Sequence, residues 1–282
     1  MRRILAYSIV NQVGFMIAGI GLGTEIALNG AAAHAVTHII YKALLLMSAG
    51  SVLLMTGKRK CSELGGLFHT MPLTTACGTI GALAISSFPL TSGFVSKSMV
   101  TQAAVDGDLQ VVWLLLTAAS AGVFLHAGIK FPWFVFFQKD SGLRPAEPPA
   151  PMRWAMVCFA FLCIALGVWP EPLYALLPYP VQYVPYTAAH VLTQLQLLLF
   201  SGLAFFVILP WLKLTPTITL DSDWLWRRAG PAVVAALAAA IGAADRALRR
   251  GLLAGLRRVA DQVMRRHGPG GGLPHHRQRG RQ

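Results

Sequence analysis

His34, His38 and Lys42 follow one another at intervals of four residues inside an apolar segment. This spacing places the three side chains along one face of a helix, with about 6 Å of rise between neighbours. Ionisable groups at membrane depth are costly, and they commonly mark ion pathways or proton relays. A buried lysine can exchange protons near neutral pH, and histidine does so almost unperturbed. The row therefore indicates a proton relay; the alternative is a polar contact between two helices.

The composition is that of an integral membrane protein. Hydrophobic residues make up 55% of the chain and charged residues 12%, whereas a soluble domain is about 25% charged. Arginines of the C-terminal part carry most of the net charge of +13, which favours a membrane surface or the cytoplasm over nucleic acid as the neighbour of that part. The four cysteines show no metal-ligand spacing, so we expect no metal site and no cofactor.

Long apolar stretches predict an all-α polytopic bundle, because a chain in lipid must satisfy its backbone hydrogen bonds internally. We predict that residues 1–213 form the transmembrane bundle. Residues 214–267 are predicted to be a basic amphipathic segment at the membrane interface, and residues 268–282 a disordered tail. Six spans are predicted, over residues 4–22, 26–56, 71–104, 111–137, 154–169 and 188–212.

The third predicted span is too long for one straight helix and contains Pro89, Gly93 and Lys97. Proline removes a backbone donor and clashes with the preceding turn, so we predict a discontinuous helix with Lys97 near the break. Broken helices at mid-membrane are where transporters place ion sites. The alternative is a simple proline kink, with Lys97 reaching outward to the membrane surface.

A second basic pair, His126 and Lys130, precedes Pro132 in the fourth predicted span. Two interpretations of this pair are open. The pair extends the relay, or its side chains reach toward the membrane interface. His190 begins the last span and is interpreted as an interface residue. The span interiors contain no Asp or Glu, so the oxygen ligands that Na⁺ would need are missing, and protons are the favoured cargo.

Loop charges predict the orientation of the bundle. Lysine and arginine collect in alternate loops, all on one side if the count of six spans holds. The positive-inside rule then places both termini in the cytoplasm, and we expect the chain in a bacterial inner membrane.

Four motifs carry a resemblance to a known family. They are the run from Arg3 to Gly14, the row His34-xxx-His38-xxx-Lys42-Ala-Leu-Leu, Glu63-Leu-Gly-Gly66-Leu with Pro72, and Phe88-Pro89-Leu-Thr-Ser-Gly93-Phe-Val-Ser-Lys97. Together they resemble the antiporter-like subunits shared by respiratory complex I and Mrp-type Na⁺/H⁺ antiporters. The remainder to about Asp223 looks most like the MrpD-type subunits of the antiporter group.

The resemblance implies two inverted five-helix repeats, each with a broken helix and a buried lysine, around a hydrophilic axis that carries protons. This chain would correspond to the C-terminal half only, beginning near the second repeat, with a separate chain supplying the N-terminal half. His34, His38 and Lys42 would be central relay groups, and Lys97 would face an outlet half-channel. The expected partners are other membrane subunits of an antiporter or respiratory complex.

Three hypotheses follow for function. The first is a non-enzymatic transport subunit that conducts protons in a monovalent cation/proton antiporter. The second is a proton-pumping membrane-arm subunit of a quinone-oxidoreductase-like complex, with all redox chemistry in partner subunits. The third is a non-conducting fragment.

Overall fold

The computed structural model describes residues 1–211 and 225–267. These residues are helices joined by loops, with no β-strand among them, which confirms the predicted all-α membrane bundle. In chain order the α-helices are α1 (Arg2–Leu22), α2 (Glu25–Thr56), α3 (Pro72–Ile85), α4 (Ser92–Asp106), α5 (Gln110–Val123), α6 (Ala150–Val168), α7 (Glu171–Tyr174), α8 (Ala188–Ile208) and α9 (Gly230–His267).

α1 and α2 form an antiparallel hairpin with a very short connection. Gly23 ends α1 in the left-handed conformation, with φ of 71°. Thr24 then caps α2, because its hydroxyl accepts a hydrogen bond from the N–H of Ala27 over 3.3 Å. The chain therefore reverses direction within two residues and brings the polar face of α1 against α2.

α2 is the central helix of the bundle. It contains 32 residues, so it is about 48 Å long at 1.5 Å per residue. It packs against α1, α3, α4 and α6, and apolar side chains such as Tyr41, Leu44 and Leu45 are fully buried along it. The helix that carries the predicted relay thus packs against four neighbours, while a face with Ile39, Leu46 and Leu54 is exposed.

The third predicted span is discontinuous, as expected. α3 ends at Ile85 and α4 begins at Ser92. Ser87 and Leu90 in the connection have φ of 59° and 69°, values that residues other than glycine rarely adopt. Pro89 lies in this connection and Gly93 in the first turn of α4.

α5 changes character halfway along its length. Two π-helical stretches, Phe124–Lys130 and Trp133–Phe137, continue it across Pro132. Such stretches are uncommon and frequently accompany functional sites. The predicted pair His126 and Lys130 lies in the first of them.

The proline-rich stretch before α6 caps α3 through Glu147. One carboxylate oxygen of Glu147 accepts hydrogen bonds from the N–H groups of Leu73 and Thr74, at 2.6 and 3.2 Å. Its other oxygen accepts one from the Thr74 hydroxyl at 2.6 Å. These are N–H groups that the first turn of a helix leaves without intrahelical partners.

By length and composition, six helical stretches of the described residues could cross a membrane, but they differ from the six predicted spans. The third predicted span is absent from this set because it is divided between two shorter helices. The stretch Leu225–Arg266 is included, although it was predicted to lie at the interface. The predicted end of the sixth span at residue 212, part of the basic segment (residues 214–224) and the tail 268–282 lie outside the described residues.

The chain divides into two compact units, Met1–Pro216 and Thr217–Gln282. Within the second, α9 is a single helix of 38 residues. Its apolar side chains, including Leu248, Leu252 and Val259, are exposed within the unit. Exposed apolar stripes of this kind mark contact with a membrane or another protein.

Candidate functional site: a buried polar row between three helices

His34 is the centre of the site and is completely buried. Its Nδ1 lies 2.9 Å from the hydroxyl of Ser96 on α4. Its Nε2 lies 3.0 Å from Oε1 of Gln12 on α1. The imidazole of α2 therefore connects all three helices through side-chain hydrogen bonds.

The orientation of the Gln12 amide follows from its neighbours. Its Nε2 donates to Oδ1 of Asn11 over 2.8 Å, and Asn11 in turn donates to the carbonyl of Ala119 over 3.1 Å. Oε1 of Gln12 therefore faces both His34 and the hydroxyl of Tyr41, which donates to it over 2.8 Å. Because Oε1 can only accept, His34 carries a hydrogen on Nε2 in either protonation state.

Ser96 can serve both protonation states of His34. When Nδ1 of His34 is unprotonated, the Ser96 hydroxyl donates to it. When Nδ1 carries a proton, Ser96 accepts from it and can turn its own hydrogen to the carbonyls of Ser92 and Gly93, each 3.4 Å away. Thr37 adds a further hydroxyl 2.9 Å from Ser96. A proton can thus bind or leave Nδ1 by rotation of hydroxyl groups alone.

His38 lies next along the row. Its ring stacks on that of His34, with centroids 6.3 Å apart, and meets the ring of Tyr41 edge-on at 5.5 Å. Within the described part of the chain its Nε2 is buried and has no hydrogen-bond partner. Buried polar atoms usually have a hydrogen-bond partner. Transient proton binding at this nitrogen would explain why it lacks one.

Lys42 ends the row on α2 and is buried. Its ammonium group donates a hydrogen bond to the hydroxyl of Ser8 on α1, and that hydroxyl donates to the carbonyl of Leu5 over 2.8 Å. The partner of this buried lysine is a neutral group. A neutral partner compensates a buried charge less than a carboxylate would, so both protonation states of Lys42 can exist here.

Lys97 is buried at the helix break. Its Nζ donates to the carbonyl of Ile85 over 2.8 Å and lies 5.0 Å from the centre of the Phe15 ring. Ile85 is the last residue of α3, and the carbonyls at a helix C-terminus carry partial negative charge. The broken helix therefore supplies the group that holds Lys97, and the Phe15 ring adds a cation–π contact.

The other carbonyls of the break also have partners. The carbonyl of Leu83 accepts from the N–H of Phe88 at 3.0 Å, and that of Ala84 from Ser87 at 3.1 Å. The carbonyl of Ser86 accepts from the side-chain amide of Gln194 on α8 at 3.1 Å. Unpaired backbone groups in lipid cost several kcal/mol each, so these bonds allow a helix to be interrupted at membrane depth.

Two glycines permit the close packing around the break. A Cβ on Gly93 would lie 1.9 Å from the carbonyl oxygen of Ala84, so no larger residue fits between the two half-helices. A Cβ on Gly167 of α6 would lie 2.5 Å from the carbonyl oxygen of Leu90. α6 therefore rests directly on the backbone of the break.

His126 and Lys130 occupy a different place. Together with residues of α8 such as Phe205 they line a cavity of about 250 Å³. A second cavity of the bundle is lined by Lys97 among others. The two cavities share no lining residue. The predicted extension of the relay through Lys130 remains a prediction.

Several residues of the site were not singled out from the sequence. Gln12 was not among the residues predicted for the relay, and His190 was interpreted as an interface residue. Nε2 of His190 lies 2.7 Å from Oε1 of Gln102 on α4. The available signal was polar residues inside apolar helices, above all the pair His190 and Gln194, four residues apart. Among the described residues, no group of three or more His, Cys, Asp or Glu could hold a metal ion.

The fold and this site define an integral membrane protein of several spans, with buried basic side chains and a discontinuous helix. Residues 1–124 match the family described as NADH:quinone oxidoreductase/Mrp antiporter, TM. The predicted resemblance to this family is confirmed over these residues, which make up less than half of the chain.

Relatives of known name support this placement. The A/B subunit of a probable K⁺/H⁺ antiporter from Rhizobium meliloti is 33% identical over 177 residues, which are 60% of this chain and 18% of the relative. The L subunit of F₄₂₀H₂ dehydrogenase from Methanosarcina mazei is 34% identical over 183 residues, 59% of this chain and 27% of the relative. The D subunit of a Na⁺/H⁺ antiporter from Alkalihalophilus pseudofirmus is 30% identical over 175 residues, 61% and 35% respectively. The chain thus spans about a third or less of these curated relatives.

Two solved structures share the fold. The Mrp complex from Dietzia sp. DQ12-45-1b aligns with a TM-score of 0.55 and 21% identity, over 60% of this chain and 40% of the matched chain. The membrane-bound sulfane sulfur reductase, an archaeal respiratory membrane complex, aligns with a TM-score of 0.59 and 23% identity, over 95% and 48%. At these identities the likeness concerns the fold alone.

Proposed function

We propose that this chain conducts protons across a membrane as one subunit of a multi-subunit monovalent cation/proton antiporter. The observation that carries the proposal is the hydrogen bonding of His34, which can gain or lose a proton at Nδ1 without displacement of any side chain. His38 and Lys42 continue the row along α2, and Lys97 lies on α4 one residue after Ser96, the hydroxyl partner of His34. The pair His126 and Lys130 would extend the path.

The match of residues 1–124 to a family of membrane subunits supports a transport role, and the similarity to named antiporter subunits supports the choice of an antiporter. Other membrane subunits would complete the path. We propose a bacterial inner membrane with both termini in the cytoplasm, supported by the loop charges. Single cysteines introduced at Lys58 and at Glu171, probed with an impermeant maleimide, test this orientation: labelling from opposite sides is expected.

The test is cation-dependent proton flux in inverted vesicles from a transporter-deficient host. The chain is expressed with the membrane subunits of its neighbouring genes, and Lys42→Ala and Lys97→Ala are compared with wild type. Each variant should lose flux by about a hundredfold or more, the lower end of the range for removal of a proton-transfer group, while the complex still assembles. Lys60→Ala, a change at an exposed loop lysine, is the matched control. Undiminished flux in both buried-lysine variants would contradict the proposal.

A second candidate is a proton-pumping subunit in the membrane arm of a redox-driven complex. The 34% identity to the L subunit of F₄₂₀H₂ dehydrogenase favours it specifically. The same vesicles discriminate the two: an antiporter responds to an imposed Na⁺ or K⁺ gradient, whereas a redox-driven pump responds only to an electron donor and acceptor. Assembled complexes that respond neither to an ion gradient nor to an electron donor and acceptor would indicate the third hypothesis, a non-conducting fragment.

A further inference from the structure

Two cavities of the bundle meet at a common wall. The Lys97 cavity, of about 320 Å³, is lined by Lys97, Ser98, Thr101 and Gln194 among others. The Glu25 cavity, of about 950 Å³, is lined by Glu25, Asn29, Asp106 and Tyr183 among others. Gln102 and His190 line both cavities, so these two side chains form the partition between the buried lysine and the acidic cavity.

One side of the His190 ring is fixed by an acceptor. Its Nε2 lies 2.7 Å from Oε1 of Gln102. The amide of Gln102 cannot turn freely, because its Nε2 donates to a carboxylate oxygen of Asp106 over 2.6 Å. Nε2 of His190 therefore carries a hydrogen in both protonation states.

The other nitrogen of His190 has two partners of different kinds. Nδ1 lies 3.2 Å from the carbonyl of Pro185, which can only accept, and 3.3 Å from the hydroxyl of Tyr183, which can donate. Burial raises the pKa of Tyr183 to about 12, so its hydroxyl keeps its hydrogen. A charged His190 can donate to Pro185, and a neutral one can accept from Tyr183, with no change in side-chain position.

The surroundings of His190 are set by a few ionisable groups. Asp106 of α4 acts on it through Gln102, and Tyr183 contacts it from the α7–α8 connection. Glu25 of α2 contributes a second carboxylate to the larger cavity, and Lys97 of α4 lies in the smaller one. α5 contributes Trp113, Thr117 and Ser120, and α1 contributes Phe15, all uncharged. His190 thus separates a cavity with two carboxylates from one with a single buried amine.

We propose that His190 is the gate through which protons pass between the Lys97 cavity and the Glu25 cavity, with Gln102 as its positioning residue. In the transfer, the ring of His190, which lines both cavities, accepts a proton at Nδ1 and forms an N–H bond there, and that bond breaks when the ring releases the proton. The proposal rests on the proposed proton-conducting function and adds to it a residue outside the α2 row.

The test uses the assembled complex in the vesicle assay and compares His190→Ala with wild type. Flux should fall by about a hundredfold or more, as for other proton-transfer groups. Added imidazole should restore much of it, because the vacated site opens into a large cavity. Lys97→Ala should lose flux without rescue by imidazole. His69→Ala, at an exposed loop histidine, should behave as wild type.

Each outcome of this experiment supports or overturns the assignment of His190 as the gate. Normal flux in His190→Ala, with flux lost in Lys97→Ala, would overturn the gate and leave the proposed function intact. Loss of flux without rescue, in a complex that assembles normally, would make His190 structural and also overturn it. If His190→Ala does not assemble, His190→Gln, which retains a donor toward Gln102, replaces it; failure of both to assemble counts against the gate. A wild-type complex without flux would remove the proposed function and the gate together.

Discussion

The ammonium of Lys97 and the main-chain carbonyl of Ile85 are joined by a hydrogen bond of 2.8 Å at the residue where α3 ends. In an uninterrupted helix this carbonyl would accept from the N–H of residue 89. Residue 89 is proline and has no N–H. The oxygen that holds the buried lysine is thus available because a proline stands four residues later.

Replacement of this proline tests that relationship. Pro89→Ala supplies a backbone N–H that competes with Lys97 for the Ile85 carbonyl, at a cost of about 1 kcal/mol, or about fivefold, in the population of correctly held lysine. Proton flux should fall by a similar factor while assembly is retained. Pro145→Ala, at a loop proline, is the control. Flux equal to wild type in Pro89→Ala would show that the break does not depend on this donor.

A second prediction concerns the two donors to Gln12. Gln12→Leu removes the acceptor of His34 Nε2 and leaves a buried N–H unpaired, which costs about 1–3 kcal/mol. Tyr41→Phe removes a donor but leaves the bond between His34 and Gln12 in place. Flux should therefore fall strongly in Gln12→Leu and only slightly in Tyr41→Phe. The reverse order would mean that Tyr41, and not His34, is the functional partner of Gln12.

Close packing on the break gives a third prediction. Gly167→Ala introduces a Cβ about 2.5 Å from the backbone of Leu90 and Thr91, and such overpacking costs about 1–3 kcal/mol. The purified complex should melt at a lower temperature in a thermal-shift assay in detergent. Gly122→Ala is matched in type, since its Cβ would meet nothing within 4 Å, and it should leave the melting temperature unchanged or raise it. Equal behaviour of the two variants would argue against close contact between α6 and the break.

The cap on α3 gives a fourth prediction. Glu147→Ala removes three hydrogen bonds at the N-terminus of this helix and should destabilise the bundle by about 1–2 kcal/mol. Glu147→Gln keeps one acceptor oxygen and should fall between Ala and wild type in the same melting assay. Glu63→Ala, at an exposed loop position, serves as the control. A graded series would identify the carboxylate as the cap, and three identical melting curves would exclude it.

The sequence predicted what spacing along one helix can specify. His34, His38 and Lys42 lie on one face of α2 because their separation of four residues matches the helical repeat. Pro89 and the length of the third span likewise predicted a discontinuous helix. Relationships between distant elements were not accessible in this way: His190 and Gln102 are 88 residues apart, and a single histidine at the start of an apolar helix does not reveal its partner.

The C-terminal helix shows a different limit of such reasoning. Its mixture of alanine, leucine and arginine was interpreted as an interfacial helix, yet part of it is apolar over a length sufficient for a span. Composition determines whether a helix can enter lipid. The orientation it adopts depends on what it packs against, which a single sequence does not contain.

The side chain of Asn29 on α2 makes two hydrogen bonds to the connection between α7 and α8. Its amide donates to the carbonyl of Tyr179 and accepts from the N–H of the same residue, each over 3.0 Å. Pro178 and Pro180 flank Tyr179 and fix the backbone angle φ on both sides. These two hydrogen bonds therefore fix the direction of a stiff segment. Because Pro180 lines the Glu25 cavity, any shift of α2 along its own axis would also move the wall of that cavity.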